Sequence, residues 1–267
     1  MKAALLAAMG LALAVAAPPS RAAPSSLAPA DFAKLGFDQK PGAQVPLDLV
    51  LTDESGTAVP LHRFFHGVPV LLDLDYLHCP GLCGLVLGNL AQSLGKASLA
   101  PGRDVEILAV SFDPHETPAD AARAKAEYEA RFGTAARWHF LTGSKAAIAG
   151  LTNSVGFRYR FDPAIGQFAH PSGLTVLTAT GTVSRYLLGV EAQPLALRLA
   201  VTEAGEGAVA APAAHLLLLC FSYDPRTGRY TPLVMRLTEI ACAATALALA
   251  GGVSLALWRE HRRRRAA

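Results

Sequence analysis

Charge and cysteine are both scarce in this sequence. Charged residues make up 17% of the 267 residues, whereas hydrophobic residues make up 52%. A disordered chain would have the opposite balance, so disorder of the whole chain is excluded. The apolar content also exceeds that of an ordinary soluble domain, which indicates membrane or targeting segments. Four cysteines are too few for a disulfide-rich scaffold and are more typical of catalytic, metal-binding or incidental thiols.

Positive charge is concentrated at the two ends of the chain. The formal net charge is +3, but Lys2, Arg21 and the arginine-rich tail 259–265 together exceed that total. The part between the ends is therefore mildly acidic and lacks the basic patch typical of nucleic-acid-binding proteins. We expect no nucleic-acid partner.

The first 23 residues have the pattern of a secretory signal peptide. Lys2 gives a positive start, residues 3–17 form an apolar stretch too short to span a bilayer comfortably, and small residues surround Arg21. The alternative is an uncleaved N-terminal anchor. In either case the next segment lies outside the cytoplasm. Residues 24–44 are rich in Pro, Ala and Ser, which predicts a flexible lead-in.

A membrane-spanning helix is predicted at residues 234–258. Its core, Leu237–Trp258, contains one charged residue, Glu239, and would rise about 33 Å, enough to cross a hydrocarbon layer of roughly 30 Å. The basic tail 259–267 follows at once, and such a cluster is retained on the cytoplasmic side. We therefore expect a domain in the bacterial periplasm, joined to the inner membrane by a linker and juxtamembrane extension at 205–233.

Apolar runs of strand length alternate with helical patterns between residues 45 and 204. This alternation, followed by a hairpin and a final helix, predicts an α/β domain with a mixed sheet flanked by helices. One helix has especially consistent signals, since Thr117, Pro118 and Asp120 suit its start and Gly133 its end. The predicted strands are 45–59 (a pair), 68–76, 104–112, 138–141, 173–180 and 182–189, and the other predicted helices are 80–97, 144–155 and 195–203.

Cys79 and Cys83 lie in a turn between a buried strand and a predicted helix. If the helix begins near Pro80, the two side chains lie about one turn apart and point the same way. A helix N-terminus favours thiolate over thiol, and two adjacent thiolates can form a disulfide or bind a soft ion such as Cu(I). His170 precedes the predicted hairpin. It is either a surface residue or the third ligand of a Cys₂His site at the same end of the sheet.

Three motifs together resemble those of the Sco/SenC family, thioredoxin-fold proteins that deliver copper to cytochrome c oxidase. The resemblance covers roughly residues 40–204. It implies a thioredoxin-like fold and a copper site, Cu(I) or Cu(II), formed by Cys79, Cys83 and His170, with Asp113 as a supporting acidic residue nearby. The motifs are Cys79-Pro80-Gly81-Leu82-Cys83, Ser111-Phe112-Asp113-Pro114 followed by Thr117, and His170.

The chain also departs from the usual pattern of that family. Gly84 follows the second cysteine where proline is common, and Tyr76-Leu77-His78 replaces an aromatic–threonine pair. The predicted membrane anchor is C-terminal, whereas typical members are anchored at the N-terminus. These differences indicate a divergent branch of the family and leave the implied copper ligands intact.

The resemblance implies a membrane-tethered periplasmic metallochaperone for assembly of the oxidase copper centre. Its partners would be the copper-site subunit of the oxidase and a periplasmic thiol reductant or copper donor. The alternative is an enzyme, a thiol–disulfide oxidoreductase acting on cysteines of that subunit, which needs Cys79 and Cys83 as a redox-active pair but not His170. A peroxidase, the third interpretation, would need an exposed thiolate of low pKa.

Four further residues have weaker interpretations. Asp73 resembles the buried carboxylate of thioredoxins, and His78 is a surface residue, a substitute ligand or a group that supports the site. Cys220 is either a packed thiol or a transient thiol partner, and Cys242 is expected to pack within the membrane span.

Overall fold

The computed structural model describes residues 25–78, 83–133, 137–209, 223–224, 229–230, 240, 242–247, 249 and 251–252. In chain order the helices are α1 (Pro29–Phe32), α2 (Cys83–Lys96), α3 (Pro118–Phe132), α4 (Lys145–Ser154) and α5 (Pro194–Gly205), and a short 3-10 helix spans Leu61–Phe64. The strands are β1 (Gly36–Phe37), β2 (Val50–Thr52), β3 (Ala58–Pro60), β4 (Val70–Asp75), β5 (Glu106–Ser111), β6 (Trp138–Leu141), β7 (Phe157–Arg158), β8 (Arg160–Asp162), β9 (Gln167–Ala169), β10 (Gly173–Leu177), β11 (Val183–Leu188), β12 (Tyr223–Asp224) and β13 (Arg229–Tyr230).

A five-stranded mixed sheet with the order β11-β10-β4-β5-β6 forms the centre of the domain. β4, β5 and β6 are parallel, and β10 pairs antiparallel with both β4 and β11. Residues 70–74 of β4 are all buried because both faces of this central strand are covered, which explains its nearly continuous apolar sequence. The predicted α/β class with a mixed sheet flanked by helices is confirmed.

Two apolar clusters lie on opposite faces of this sheet. Val70 and Leu72 belong to the cluster formed with α4 and the β2–β3 hairpin, whereas Leu71 belongs to the cluster formed with α2 and α5. Because side chains alternate along a strand, Asp73 and Asp75 share the parity of Leu71. Two carboxyl groups are thus directed to the apolar side that carries α2.

The start of α3 has the hydrogen bonds that its sequence predicts. The Thr117 hydroxyl accepts from the Asp120 backbone N–H, and the Asp120 carboxylate accepts from the Thr117 backbone N–H. Pro118 occupies the first turn, and Gly133 ends the helix with φ 66°, a left-handed conformation that favours glycine. The helix therefore begins and ends where local sequence signals place it.

Residues 24–44, predicted to be a flexible lead-in, contact the domain in their described part. β1 pairs with β7, and the Asp162 carboxylate accepts hydrogen bonds from the Ser25 hydroxyl, the Ser26 hydroxyl and the Ser26 backbone N–H. Asp31 of α1 forms an ion pair with Arg160. The described part of this segment is thus attached to the domain, in contrast to the prediction. Local sequence patterns do not reveal the attachment, because the residues that the segment contacts lie more than a hundred positions away.

β7, β8 and β9 occupy residues 157–169, where no strand was predicted. They have two or three residues each, too few to produce a period-two pattern. Aromatic packing fixes this segment instead: the ring of Phe112 lies 4.5 Å from that of Tyr159 and 5.4 Å from that of Phe168.

Attachment of the N-terminal segment is expected to weaken in acid. Hydrogen bonds from Ser25 and Ser26 lower the pKa of Asp162 to about 2 from an ordinary 3.8. Because the folded-state pKa lies below the unfolded one, the attachment is complete above pH 3.8 and is lost as the pH falls through about 2. An NMR titration of the Ser26 amide measures this. Asp162→Asn should abolish the transition. A Ser26 amide signal that still titrates in that variant would contradict the assignment of the transition to the Asp162 carboxyl.

The described residues between 240 and 252 are helical, and Cys242 among them is exposed and not part of a disulfide. Within the portion of the chain that the structure describes, no helix has the length and apolar character needed to cross a membrane. The predicted signal peptide, most of the predicted span 234–258, the basic tail and Cys220 lie outside the described residues. These assignments stay predictions.

Candidate functional site

The end of β4 and the start of β10 lie side by side at one edge of the sheet. Leu174 pairs with Asp73 in the antiparallel register. The residues that precede β10, His170 among them, therefore lie beside those that follow Asp73. Cys83 is the first residue of α2, the helix that follows β4. Cys79 and the side chain of Cys83 are outside the described part of the structure.

His170 is held among aromatic rings with a defined tautomer. Its side chain is 10% exposed, and its ring lies 5.1 Å from that of Phe112 and 5.8 Å from that of Tyr76. Nδ1 is 3.0 Å from the Pro171 carbonyl oxygen, which can only accept, so Nδ1 carries the proton and Nε2 the lone pair. Burial lowers the pKa of His170, although the bond to Pro171 opposes this. A neutral imidazole is the form that binds metals.

Asp75, the last residue of β4, faces His170. Its Oδ1 lies 3.7 Å from His170 Nε2 and accepts a hydrogen bond of 2.8 Å from the Tyr76 backbone N–H. Burial raises the pKa of Asp75 to about 7; the Tyr76 bond opposes this rise, and the nearby Glu116 carboxylate adds to it. The side chain also borders a cavity of about 270 Å³ that Gly84, the residue after Cys83, also lines.

Asp73 lies deeper in the same strand and is 2% exposed, in line with its interpretation as a buried carboxylate. Its Oδ2 has no hydrogen-bond partner among the described residues. Burial, with the adjacent Asp75 carboxyl, raises the pKa of Asp73 well above its ordinary value. The sequence drew attention to Asp73 alone. Asp75 was missed, although its two-residue spacing places both carboxyls on one face of the strand.

Glu116 anchors the two residues that precede Cys79. Its side chain is 1% exposed, and its Oε1 accepts from the His78 backbone N–H at 2.7 Å while Oε2 accepts from the Leu77 backbone N–H at 2.8 Å. The Ser111 hydroxyl adds a 2.6 Å bond to Oε2. A buried carboxylate requires such partners, and here they come from the backbone that leads into the dithiol segment. Sequence spacing suggested no role for Glu116.

His78 is paired with two carboxylates. Nδ1 lies 3.0 Å from Glu116 Oε1, and Nε2 lies 3.3 Å from Asp120 Oδ1. The side chain is 56% exposed, so the ring is at the surface, and its contact with Glu116 also supports the segment next to Cys79. Its interpretation as a substitute ligand stays a prediction.

Asp113, the predicted supporting residue, is bonded within its own turn. Its Oδ1 accepts from the His115 backbone N–H at 2.9 Å, and its backbone N–H donates to the Ser111 hydroxyl at 3.1 Å. The carboxylate also contributes to raising the pKa of Tyr76, after burial and the neighbouring Asp75 and Glu116 carboxyls. Asp113 thus lies in the loop that leads to α3, close to the aromatic rings around His170.

No group of three His, Cys, Asp or Glu side chains within the described ranges is arranged to hold a metal ion. The predicted ligand set includes Cys79, which lies outside those ranges. Among the predicted site residues, the structure therefore describes the side chains of His170 and Asp113 but only the backbone of Cys83.

These features define a thioredoxin-like α/β domain with a Cys-x-x-x-Cys segment and a buried imidazole at one edge of its sheet. The chain belongs to the SCO1/SenC family, whose model matches residues 38–204. No curated protein matches the chain.

Solved structures share this fold. A protein of Aquifex aeolicus VF5, provisionally described as an electron transfer protein, is 26% identical over 63% of this chain and 96% of its own, with a TM-score of 0.57. BsSco, a member of the Sco family of cytochrome c oxidase assembly proteins, is 23% identical over 63% of this chain and 97% of its own, with a TM-score of 0.51. ScoI of Arabidopsis thaliana, crystallised with copper bound, is 19% identical over 63% of this chain and 98% of its own, with a TM-score of 0.50.

Proposed function

We propose that this protein is a copper metallochaperone for assembly of the copper centre of cytochrome c oxidase. The observation that carries the proposal is the buried imidazole of His170, which bonds the Pro171 carbonyl oxygen through Nδ1 and lies at the sheet edge from which the dithiol segment departs. Family membership supports it, as does the copper bound to ScoI of Arabidopsis thaliana. Assembly of the oxidase is the role named for BsSco.

The copper ligands in this proposal are the thiolates of Cys79 and Cys83 and Nε2 of His170. Thiolate sulfur is a soft ligand that suits Cu(I), and imidazole suits copper in general. Copper is the cargo, so its transfer to the oxidase subunit is a ligand exchange in which incoming ligands replace these three one at a time. Asp113 and Glu116 hold the surrounding loops, and neither binds the ion.

The site of action in this proposal is the bacterial periplasm. The signal-peptide pattern of residues 1–23 and the apolar segment 234–258, followed by basic residues, support a domain tethered to the inner membrane at its C-terminus. The periplasm also supplies the proposed partners, which are the copper-site subunit and a thiol reductant or copper donor.

His170→Ala is expected to lower the affinity of the reduced chain for Cu(I) at least about 10-fold, because one of three ligands is removed. Anaerobic Cu(I) titration against a competing chelator measures this. His115→Ala is the matched control, since that exposed histidine lies in the loop before α3, and it should bind as the wild type does. Wild-type affinity in His170→Ala would exclude the imidazole as a ligand.

A thiol–disulfide oxidoreductase is the second candidate. The buried carboxyl of Asp73, whose Oδ2 has no hydrogen-bond partner among the described residues, favours it. One thiolate would attack a disulfide of the oxidase subunit to form a mixed disulfide. The second thiolate would then release the subunit as a dithiol, leaving Cys79 and Cys83 oxidised. This activity does not need His170, so a His170→Ala variant that still reduces the subunit and supports oxidase assembly would favour the enzyme.

A further inference from the structure

A carboxylate outside the three family motifs lies beside the proposed copper ligand. Asp75 Oδ1 is 3.7 Å from His170 Nε2, and the two side chains are 14% and 10% exposed. The motifs that define the resemblance begin at Cys79, four residues after Asp75. The Asp75 carboxylate would therefore add a hard oxygen donor to the proposed copper site.

The geometry of this pair suits a shared metal ion. The Nδ1–H of His170 donates to the Pro171 carbonyl oxygen, so Nε2 is the nitrogen that binds the metal. Bonds of about 2.0–2.2 Å to a nitrogen and an oxygen place those two atoms roughly 2.8–3.1 Å apart in a tetragonal site and roughly 3.3–3.6 Å apart in a tetrahedral site. The observed 3.7 Å is close to the tetrahedral separation and exceeds the tetragonal one by roughly 0.6–0.9 Å. Binding of Cu(II) in a tetragonal site would therefore require one of the two side chains to move toward the other by that amount.

The charged groups around Asp75 are also compatible with a bound cation. His170 is its ion-pair partner, and burial favours the uncharged form of that imidazole. The neighbouring groups that act on the Asp75 carboxyl by charge are the acidic Asp73 and Glu116. Arg131 lines the same cavity as Asp75, and a metal ion bound to Nε2 would add a positive charge directly beside the Asp75 carboxylate.

We propose that Asp75 is a fourth copper ligand that selects the Cu(II) state. This inference rests on the proposed function, since it presupposes copper on His170. Cu(I) is satisfied by two thiolates and an imidazole, whereas Cu(II) prefers four ligands in a tetragonal arrangement and accepts oxygen donors. The carboxylate therefore strengthens the binding of Cu(II) and leaves the binding of Cu(I) almost unchanged.

Asp73→Asn is the matched control for Asp75→Asn. Asp73 lies two residues earlier in β4, has the same parity and is 2% exposed. Both variants replace a buried carboxyl by an amide of the same shape. They differ in that Asp75 contacts His170, so a general effect of a buried amide in β4 would change both variants alike.

The test measures Cu(I) and Cu(II) binding to the full-length chain in three forms, each ion added alone and competed with a chelator. Asp75→Asn should lose about 10- to 100-fold in Cu(II) affinity, with Cu(I) affinity within about threefold of the wild type. The Cu(II) electron paramagnetic resonance spectrum should change in Asp75→Asn and stay unchanged in Asp73→Asn. Unchanged Cu(II) affinity and spectrum would overturn the proposal. Equal losses for both ions would also overturn it, since Asp75 would then only position His170.

A second measurement uses only the wild-type protein, so it does not depend on whether a variant folds. In wild-type protein with ¹³C-carboxyl aspartate, electron–nuclear double resonance of the Cu(II) form should show a ¹³C coupling from a bound carboxylate. The absence of this ¹³C coupling would overturn the assignment of Asp75 as a ligand and would leave the proposed function standing. If the wild-type chain binds neither ion, the proposed function itself fails, so the two failures are distinguishable.

Discussion

Cys79→Ser is expected to lower Cu(I) affinity by more than about 100-fold, beyond the 10- to 100-fold typical of residues that only support a ligand. A serine hydroxyl is a neutral, hard donor and does not replace a thiolate for a soft ion. Only Cys83 and His170 would then remain as strong ligands. Anaerobic titration of the reduced, full-length chain against a Cu(I) chelator measures the loss.

Cys242→Ser provides the control for this change. Cys242 is exposed within the helical residues near the C-terminus and lies outside the Sco domain. The control variant should bind Cu(I) as the wild type does. Full affinity in Cys79→Ser, or an equal loss in Cys242→Ser, would contradict the proposed ligand set.

Glu116→Ala is expected to lower the free energy of unfolding by about 2–4 kcal/mol. The substitution removes the acceptor for the backbone N–H groups of Leu77 and His78 and for the Ser111 hydroxyl. These donors lie in the loops next to Cys79 and Asp113, so copper affinity should fall as well. Urea unfolding measures the first effect and chelator competition the second.

Glu116→Gln separates the two effects of this residue. The amide keeps one acceptor oxygen and the shape of the side chain, so stability should recover in part while the His78 ring loses one of its two carboxylate partners and keeps Asp120. Glu191→Ala removes an exposed carboxylate and should change the unfolding free energy by less than about 0.5 kcal/mol. If Glu116→Ala unfolds as the wild type does, the proposed anchoring role is wrong.

Local sequence signals predicted most of the sheet and its helices. β4 was predicted at 68–76 and spans Val70–Asp75, and β6 was predicted at its observed bounds. The α3 helix is the clearest case, because a capping box and a left-handed glycine depend only on neighbouring residues. Burial on both faces made the central strands recognisable as apolar runs.

The contacts that build the site were not predictable in the same way. Asp75 faces His170 because β10 pairs antiparallel with β4, a pairing that joins residues distant in sequence. Glu116 bonds His78 across 38 positions, and its role depends on how the loop before α3 folds back onto the end of β4. A single carboxylate in a sequence gives no periodic signal, so only the three-dimensional arrangement identifies these two residues.

Copper K-edge X-ray absorption of the Cu(I)-loaded, full-length chain tests the central claim most directly. The account predicts two sulfur scatterers at about 2.2–2.3 Å and one imidazole nitrogen at about 2.0 Å. The nitrogen contribution should disappear in His170→Ala, and one sulfur should disappear in Cys79→Ser. A copper ion surrounded only by nitrogen and oxygen, or a spectrum that His170→Ala leaves unchanged, would contradict it.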